Sequence, residues 1–120
     1  MTEKKIYQIA KNAYNVCRAF EISNEGEKTP LWSKLREEDR ELVIKSVELL
    51  LENNRTYASS VHDAWIDNMI EKGWTYGKEY DEKLQTNPHM IDYRSLPHLQ
   101  RAKDRLFHQV VKIGYIEPSK

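Results

Sequence analysis

Apolar residues in this chain recur at spacings of three and four, a pattern that admits little besides amphipathic helices. In the first stretch, from about Thr2 to Glu21, they fall at Ile6, Ile9, Ala10, Ala13, Val16, Cys17 and Phe20. Ser23, Asn24, Gly26 and Pro30 then mark a polar loop, and Leu31-Trp32-Ser33-Lys34-Leu35 leads into a second helix over roughly Glu37 to Asn53. Glu37, Glu38 and Asp39 suit the positive end of its dipole. Val43, Val47, Leu50 and Leu51 form its stripe, and Asn53-Asn54 marks its end. Thr56 caps a third helix from about Tyr57 to Lys72, with Val61, Ala64, Trp65, Asn68 and Met69 on one face and Gly73 as its stop. Gly73 to Ser95 is irregular, apart from a short helical turn expected around Asp81 to Leu84. Ser95 caps the last helix, about Leu96 to Ile113, which tolerates Pro97 in its first turn. Leu99, Ala102, Leu106, Val110 and Ile113 are its buried stripe, and Gly114 ends it. The fold class is all-α: a compact domain of four main helices with a long aromatic-rich loop between the third and the fourth.

A chain of 120 residues has room for one such core. Residues 1–54 are read as a helical extension packed on the same core as residues 55–116. Three Trp, seven Tyr and two Phe can seed that core without a disulfide or a metal. The 19 basic and 19 acidic residues balance, which argues against generic nucleic-acid binding, since gripping phosphates draws on a basic excess. No apolar run approaches the ~20 residues of a membrane helix. The lone Cys17 on an apolar stripe reads as a packed thiol, and no apolar signal segment follows Met1-Thr2-Glu3-Lys4-Lys5. The expectation is a cytoplasmic protein.

Enzyme motifs are absent from the sequence: no Gly-x-Ser-x-Gly elbow, no phosphate-binding loop of the Walker type, no dinucleotide fingerprint. His62, His89, His98 and His108 lack the i, i+4 spacing of a helical zinc site. His62, Asp63 and Asp67 are read as exposed helical polar residues rather than metal ligands. Cys17 lacks the electropositive setting of a nucleophile. The expectation is a protein that is not an enzyme and uses neither a metal nor a cofactor.

The informative segment is Gly73-Trp74-Thr75-Tyr76-Gly77-Lys78-Glu79-Tyr80, where two glycines bracket a Trp and a Tyr. Glycine permits a positive φ or a close approach by another group. With Trp65 upstream, and Lys83, Thr86, Pro88 and Tyr93 downstream, this string resembles the RyR domain. That cytosolic repeat is known from ryanodine receptor calcium channels and occurs singly in bacterial and phage proteins. Lys103-Asp104-Arg105 matches the family's last helix, and the resemblance covers about Arg55 to Gly114. Ile9-Ala10, Asn12, Tyr14 and Pro30-Leu31-Trp32 resemble the extension of prokaryotic members. Gln85, Asn87 and Asp92 depart from the family's frequent basic residue, His and Pro. The resemblance implies an all-helical domain, not a channel, and nucleotide-like ligands are associated with the family.

Two readings of the aromatic residues compete. In one, Trp74, Tyr76, Tyr80 and Tyr93 line a pocket for a flat ligand such as a nucleobase, with Lys78, Lys83 and Arg94 as cations for its phosphates. Stacking of a base on an aromatic ring is worth roughly 1–3 kcal/mol. The candidate ligand site is then Trp74, Tyr76, Tyr80, Lys83, Tyr93 and Arg94. In the other, Trp65 and Trp74 are core residues and the tyrosines tie the loop down through their hydroxyls. Lys103-Asp104-Arg105 divides likewise: Arg105 is a fork for phosphate or carboxylate, or the three are a solvated face on which Asp104 pairs with His108 or Lys103, or Asp104 and Arg105 are a buried pair with the structural role of orienting the loop. The structural role is preferred. The function expected is a non-catalytic module that binds or senses a small, nucleotide-like molecule. The alternative is a protein-interaction module that docks on a partner or self-associates as a homodimer through an apolar patch at Leu31-Trp32 or Tyr115-Ile116.

Overall fold

Four α-helices frame the protein: α1 (Glu3–Glu25), α2 (Glu37–Glu52), α3 (Ala58–Glu71) and α4 (His98–Ile116). This computed structural model describes residues 2–52 and 58–116, except the side chains of Ser60, Tyr115 and Ile116. The expected end of α2 at Asn53-Asn54, the Thr56 cap and the start of α3 at Tyr57 lie outside the described residues. Short 3₁₀ turns at Trp32–Lys34 and Tyr93–Ser95 precede α2 and α4. Between α3 and α4, two-residue strands β1 (Thr75–Tyr76) and β2 (Thr86–Asn87) pair in parallel, Thr75 opposite Thr86. No helix among the described residues is long and apolar enough to cross a membrane.

The Thr2 hydroxyl accepts from the Lys5 amide and starts α1. The helix runs a turn beyond Glu21, where the apolar pattern ends, because Asn24 donates its side-chain amide to the Phe20 carbonyl at 2.8 Å. Gly26, at φ +88°, then turns the chain out of the helix. Gly73 ends α3 as its sequence position predicts: at φ +92° it donates to the Ile70 carbonyl, while Trp74 donates to that of Met69. These two bonds satisfy the last carbonyls of the helix. At Gly77 an added Cβ would lie 2.4 Å from the Thr86 Cβ, so only glycine lets β1 and β2 close. The expected helical turn at Asp81–Leu84 is instead a hydrogen-bonded turn, with the Asp81 carboxylate accepting from the amides of Lys83 and Leu84.

The core joins Ile9, Ala10 and Ala13 of α1, Trp32 of the first 3₁₀ turn, Val47 and Leu50 of α2, and Val111 of α4. Trp32 is 5% exposed, so Leu31-Trp32 does not form the expected surface patch, although Leu31 is exposed. The side chains of Tyr115 and Ile116, the other expected patch, lie outside the described residues. Val16 is exposed despite its place in the α1 pattern.

Helix α4 departs most from its sequence reading. It begins at His98, and Ser95 lies in the preceding 3₁₀ turn, whose Tyr93 carbonyl accepts from the Leu96 amide. Its buried face carries His108 and Val111, with Phe107 and Val110 against the core, while Ile113 is 60% exposed. The face is rotated because α4 packs on α1, a partner that periodicity alone does not identify. Gly114 does not terminate α4; it lies within the helix, where an added Cβ would meet Ile9 Cγ1 at 3.0 Å. Its role is to let α1 and α4 approach.

Candidate functional site

A cavity of about 370 Å³ opens where all four helices converge beside the loop that follows β2, with Leu42, Val43 and Ser46 of α2 among its lining. Tyr14, Cys17 and Glu21 of α1 form one wall, and His62 and Trp65 of α3 with Lys103 and Asp104 of α4 form the other. The Trp65 ring lies over that of His62, centroids 5.5 Å apart and planes inclined at 24°. Helical spacing explains the pairing, since residues three apart share a face.

His62 is not the exposed polar residue its sequence position suggests; it is 4% exposed. Its Nε2 lies 2.7 Å from the Ile91 carbonyl. A carbonyl oxygen only accepts, so Nε2 carries a proton and Nδ1 is turned toward Asp104, 3.9 Å from Oδ2. Asp104 therefore faces His62 across the cavity wall instead of pairing with His108. Its Oδ1 accepts from the Gln100 side chain at 2.9 Å, but Oδ2 is buried with no hydrogen-bond partner. Burial pushes the Asp104 carboxyl above its usual value, and the opposing pull of His62, Gln100 and Lys103 is weaker. His89, also on the wall, is held below the usual imidazole value by burial, with Lys103 and His62 acting in the same sense.

Glu21 is the opposite case. It is 5% exposed and accepts from the Thr29 amide at 2.7 Å, the Thr29 hydroxyl at 2.5 Å, the Lys28 amide at 3.2 Å and Lys103 Nζ at 3.3 Å. Burial alone would raise its pKa; the bonds from Thr29 and the Lys103 charge outweigh burial and hold it low. The Cys17 thiol donates to the Lys103 carbonyl, and burial pushes it up to about 12, so it is unreactive. The cavity thus offers an aromatic face, apolar walls and, among its lining residues, the Asp104 carboxyl, whose buried Oδ2 faces the His62 ring.

An unpartnered buried carboxylate oxygen is costly to the fold. Asp104→Asn is expected to raise stability at neutral pH by about 1 kcal/mol, the lower end for an unsatisfied buried polar group. The Asn carbonyl can keep the Gln100 bond, and its uncharged amide takes the place of the buried, unpartnered carboxylate oxygen. Because the folded-state pKa of Asp104 is raised, the penalty exists above that pKa and vanishes as pH falls through it. Thermal melts should therefore show the gap between variant and wild type closing on acidification.

The six residues singled out from the sequence do not share a cavity. Trp74 and Tyr80 form a ring pair, centroids 5.6 Å apart, on the β1–β2 loop. Tyr76, Tyr80 and Lys83 are exposed, and none of these four lines the cavity described above. Tyr93 and Arg94 line a second, more open cleft together with Arg101 and Arg105. The Tyr93 hydroxyl donates to the Arg101 carbonyl at 3.1 Å, tying the loop down. Asn87 and Asp92, two of the departures from the RyR pattern, accept from the amides of His89 and Arg94 and so brace local turns.

Sequence reasoning missed Glu21, His62, His89 and Asp104 as site residues. A signal existed for two of them: Glu21 follows Cys17 by four and Ala10 by eleven, and His62 precedes Trp65 by three and Met69 by seven, so both lie in phase with apolar stripes. Among the described residues no group of three or more His, Cys, Asp and Glu is placed to hold a metal ion.

The family model described as RyR domain matches residues 44–113. The match begins within α2 and takes in α3, the loop and most of α4. His62, Trp65, His89, Lys103 and Asp104 lie inside it; Tyr14, Cys17, Glu21 and Thr29, on the facing wall, lie outside.

Proposed function

The chain belongs to the RyR domain family, and from that premise we propose that it binds a small molecule, without transforming it, in the cavity between the four helices. The observation that carries this reading is the cavity itself. Its volume of about 370 Å³ falls in the range of small-ligand sites, and its walls combine aromatic and aliphatic surface with a few convergent polar groups. The stacked Trp65–His62 pair would support a flat ring, and the Asp104 side chain on the same wall would accept a hydrogen bond from it. A nucleobase or a similar heterocycle satisfies both demands. The buried, unpaired thiol of Cys17 suits a cytoplasmic setting.

The test is a thermal-shift screen against nucleosides, nucleotides, dinucleotide messengers and ADP-ribose compounds. At a hundred times its dissociation constant a ligand stabilises by about 2.7 kcal/mol. The expected result is a rise with one class that is lost in Trp65→Ala and kept in Trp74→Ala. Loss in Trp74→Ala alone would move the site to the β1–β2 loop. A flat panel would favour a second reading, docking of a protein or of another copy, which the exposed Ile70, Tyr76, Tyr80 and Leu84 around that loop support.

A further inference from the structure

The second cleft, of about 1010 Å³, has a chemistry unlike that of the first. Arg101 and Arg105 are one turn apart on α4 and so share a face, and Arg94 joins them from the 3₁₀ turn just before the helix. Elsewhere among the described residues arginines are engaged. Arg18 meets Glu27 at 3.2 Å, Arg36 meets Glu38, Asp39 and Glu82, and Arg40 donates to the Leu35 carbonyl at 2.6 Å. Within the described residues the guanidinium groups of Arg94, Arg101 and Arg105 have no such partner. Arg101 goes further: its Nε is buried and makes no hydrogen bond. A buried donor on a permanent cation is seldom left unmatched in a protein that works alone.

Two carboxylates, Asp63 and Asp92, also line the cleft, but neither forms an ion pair with these arginines, and Asp92 accepts from the Arg94 backbone amide at 3.3 Å. Three guanidinium groups against two carboxylates leave the cleft positive. We propose that Arg94, Arg101 and Arg105 form an oxyanion site that takes a phosphate-bearing ligand, on a different face of α4 from the cavity lined by Asp104. Guanidinium forks match the paired oxygens of a phosphoryl group, and a tetrahedral group presents enough oxygens for several forks to engage at once. Tyr93 connects the two sites: it lines the cleft, holds the Arg101 carbonyl, and its ring centroid lies 6.1 Å from that of His62.

The experiment is calorimetric titration of the full chain with inorganic pyrophosphate at low ionic strength, with sulfate and citrate as parallel probes. One equivalent is expected to bind, more tightly than sulfate or citrate. Arg94→Gln combined with Arg105→Gln should weaken binding at least tenfold while circular dichroism stays unchanged, because both side chains are at the surface. Lys11→Gln with Lys45→Gln, which removes the same charge elsewhere on the surface, should leave binding within twofold of wild type. Absence of binding at millimolar pyrophosphate, equal affinity in the Arg94/Arg105 variant, or an equal loss in the Lys11/Lys45 control overturns the proposal. Sulfate or citrate binding as tightly as pyrophosphate overturns the phosphate assignment. Should the double variant fail to fold, Arg105→Gln alone decides by the same criterion.

Discussion

Trp32→Ala is expected to lower the unfolding free energy by about 3–5 kcal/mol, the range for deleting a buried aromatic side chain. Against a total of about 5–15 kcal/mol for a domain of this kind, that is a large share. The size follows from what the indole touches. It is 5% exposed and packs in one cluster with residues of α1, α2 and α4. The rings of Tyr7 and Tyr14 meet it edge-on, at 5.6 and 5.4 Å between centroids, and its Nε1 donates to the Tyr7 hydroxyl at 2.9 Å. Removing it leaves a hole where three elements meet and leaves the Tyr7 hydroxyl without its donor. Trp32→Phe, which keeps most of the volume and loses the N–H, should cost only about 1 kcal/mol beyond the small volume change. Urea unfolding of the three proteins checks both numbers. A loss below 1 kcal/mol for Trp32→Ala would mean that the core does not pass through this residue. The functional consequence is indirect: Tyr14, which packs on Trp32 and donates to the Pro30 carbonyl, lines the cavity with Pro30, so the same variant should weaken a ligand held there.

Glu21→Ala is expected to cost about 3 kcal/mol, the lower end of what breaking a buried ion pair costs. The lower end applies because Lys103, at 26% side-chain exposure, can turn to water, whereas the amides of Lys28 and Thr29 lose their acceptor. Glu21 binds the loop after α1 and α4 at one point, so its loss should also loosen the cavity wall. The pH dependence has a definite sign. The folded-state pKa of Glu21 is lowered from an ordinary value of 4.5, so its contribution is fully present above that value. It is lost as pH falls through the lower, folded-state pKa. Wild type should therefore lose stability below about pH 4.5 along a limb that is shallower in Glu21→Gln. Gln can still accept from the Thr29 amide, so at pH 7 this variant should fall between wild type and Glu21→Ala. Equal melting of all three proteins at pH 7 would remove Glu21 from the account of the fold.

Glu21 and Asp104 are both carboxylates at the wall of one cavity, and their neighbours drive them in opposite directions. Four donors hold Glu21 charged. Asp104 has one donor on Oδ1 and none on Oδ2. A protein keeps such an uncompensated oxygen at the expense of stability, which is why Asp104→Asn is expected to stabilise the fold and weaken the site together.

What lies within one turn of the chain was legible in the sequence. The four helices, the stop at Gly73, the unreactive setting of Cys17 and the membership of the RyR family all rest on local spacing or on a contiguous motif. Gly114 and Gly77 were visible as glycines, but not as the points where Ile9 and Thr86 come close. Periodicity reports that a helix has an inner face; it does not report what that face meets. Tertiary structure alone decided that the buried side of α4 is turned toward Phe107, His108 and Val111. It also brought Lys103 to Glu21 across 82 residues and set Asp104 against His62. The physical reason is that the charge, burial and pKa of a polar group depend on its neighbours in space, and for a helical bundle those neighbours belong to other helices.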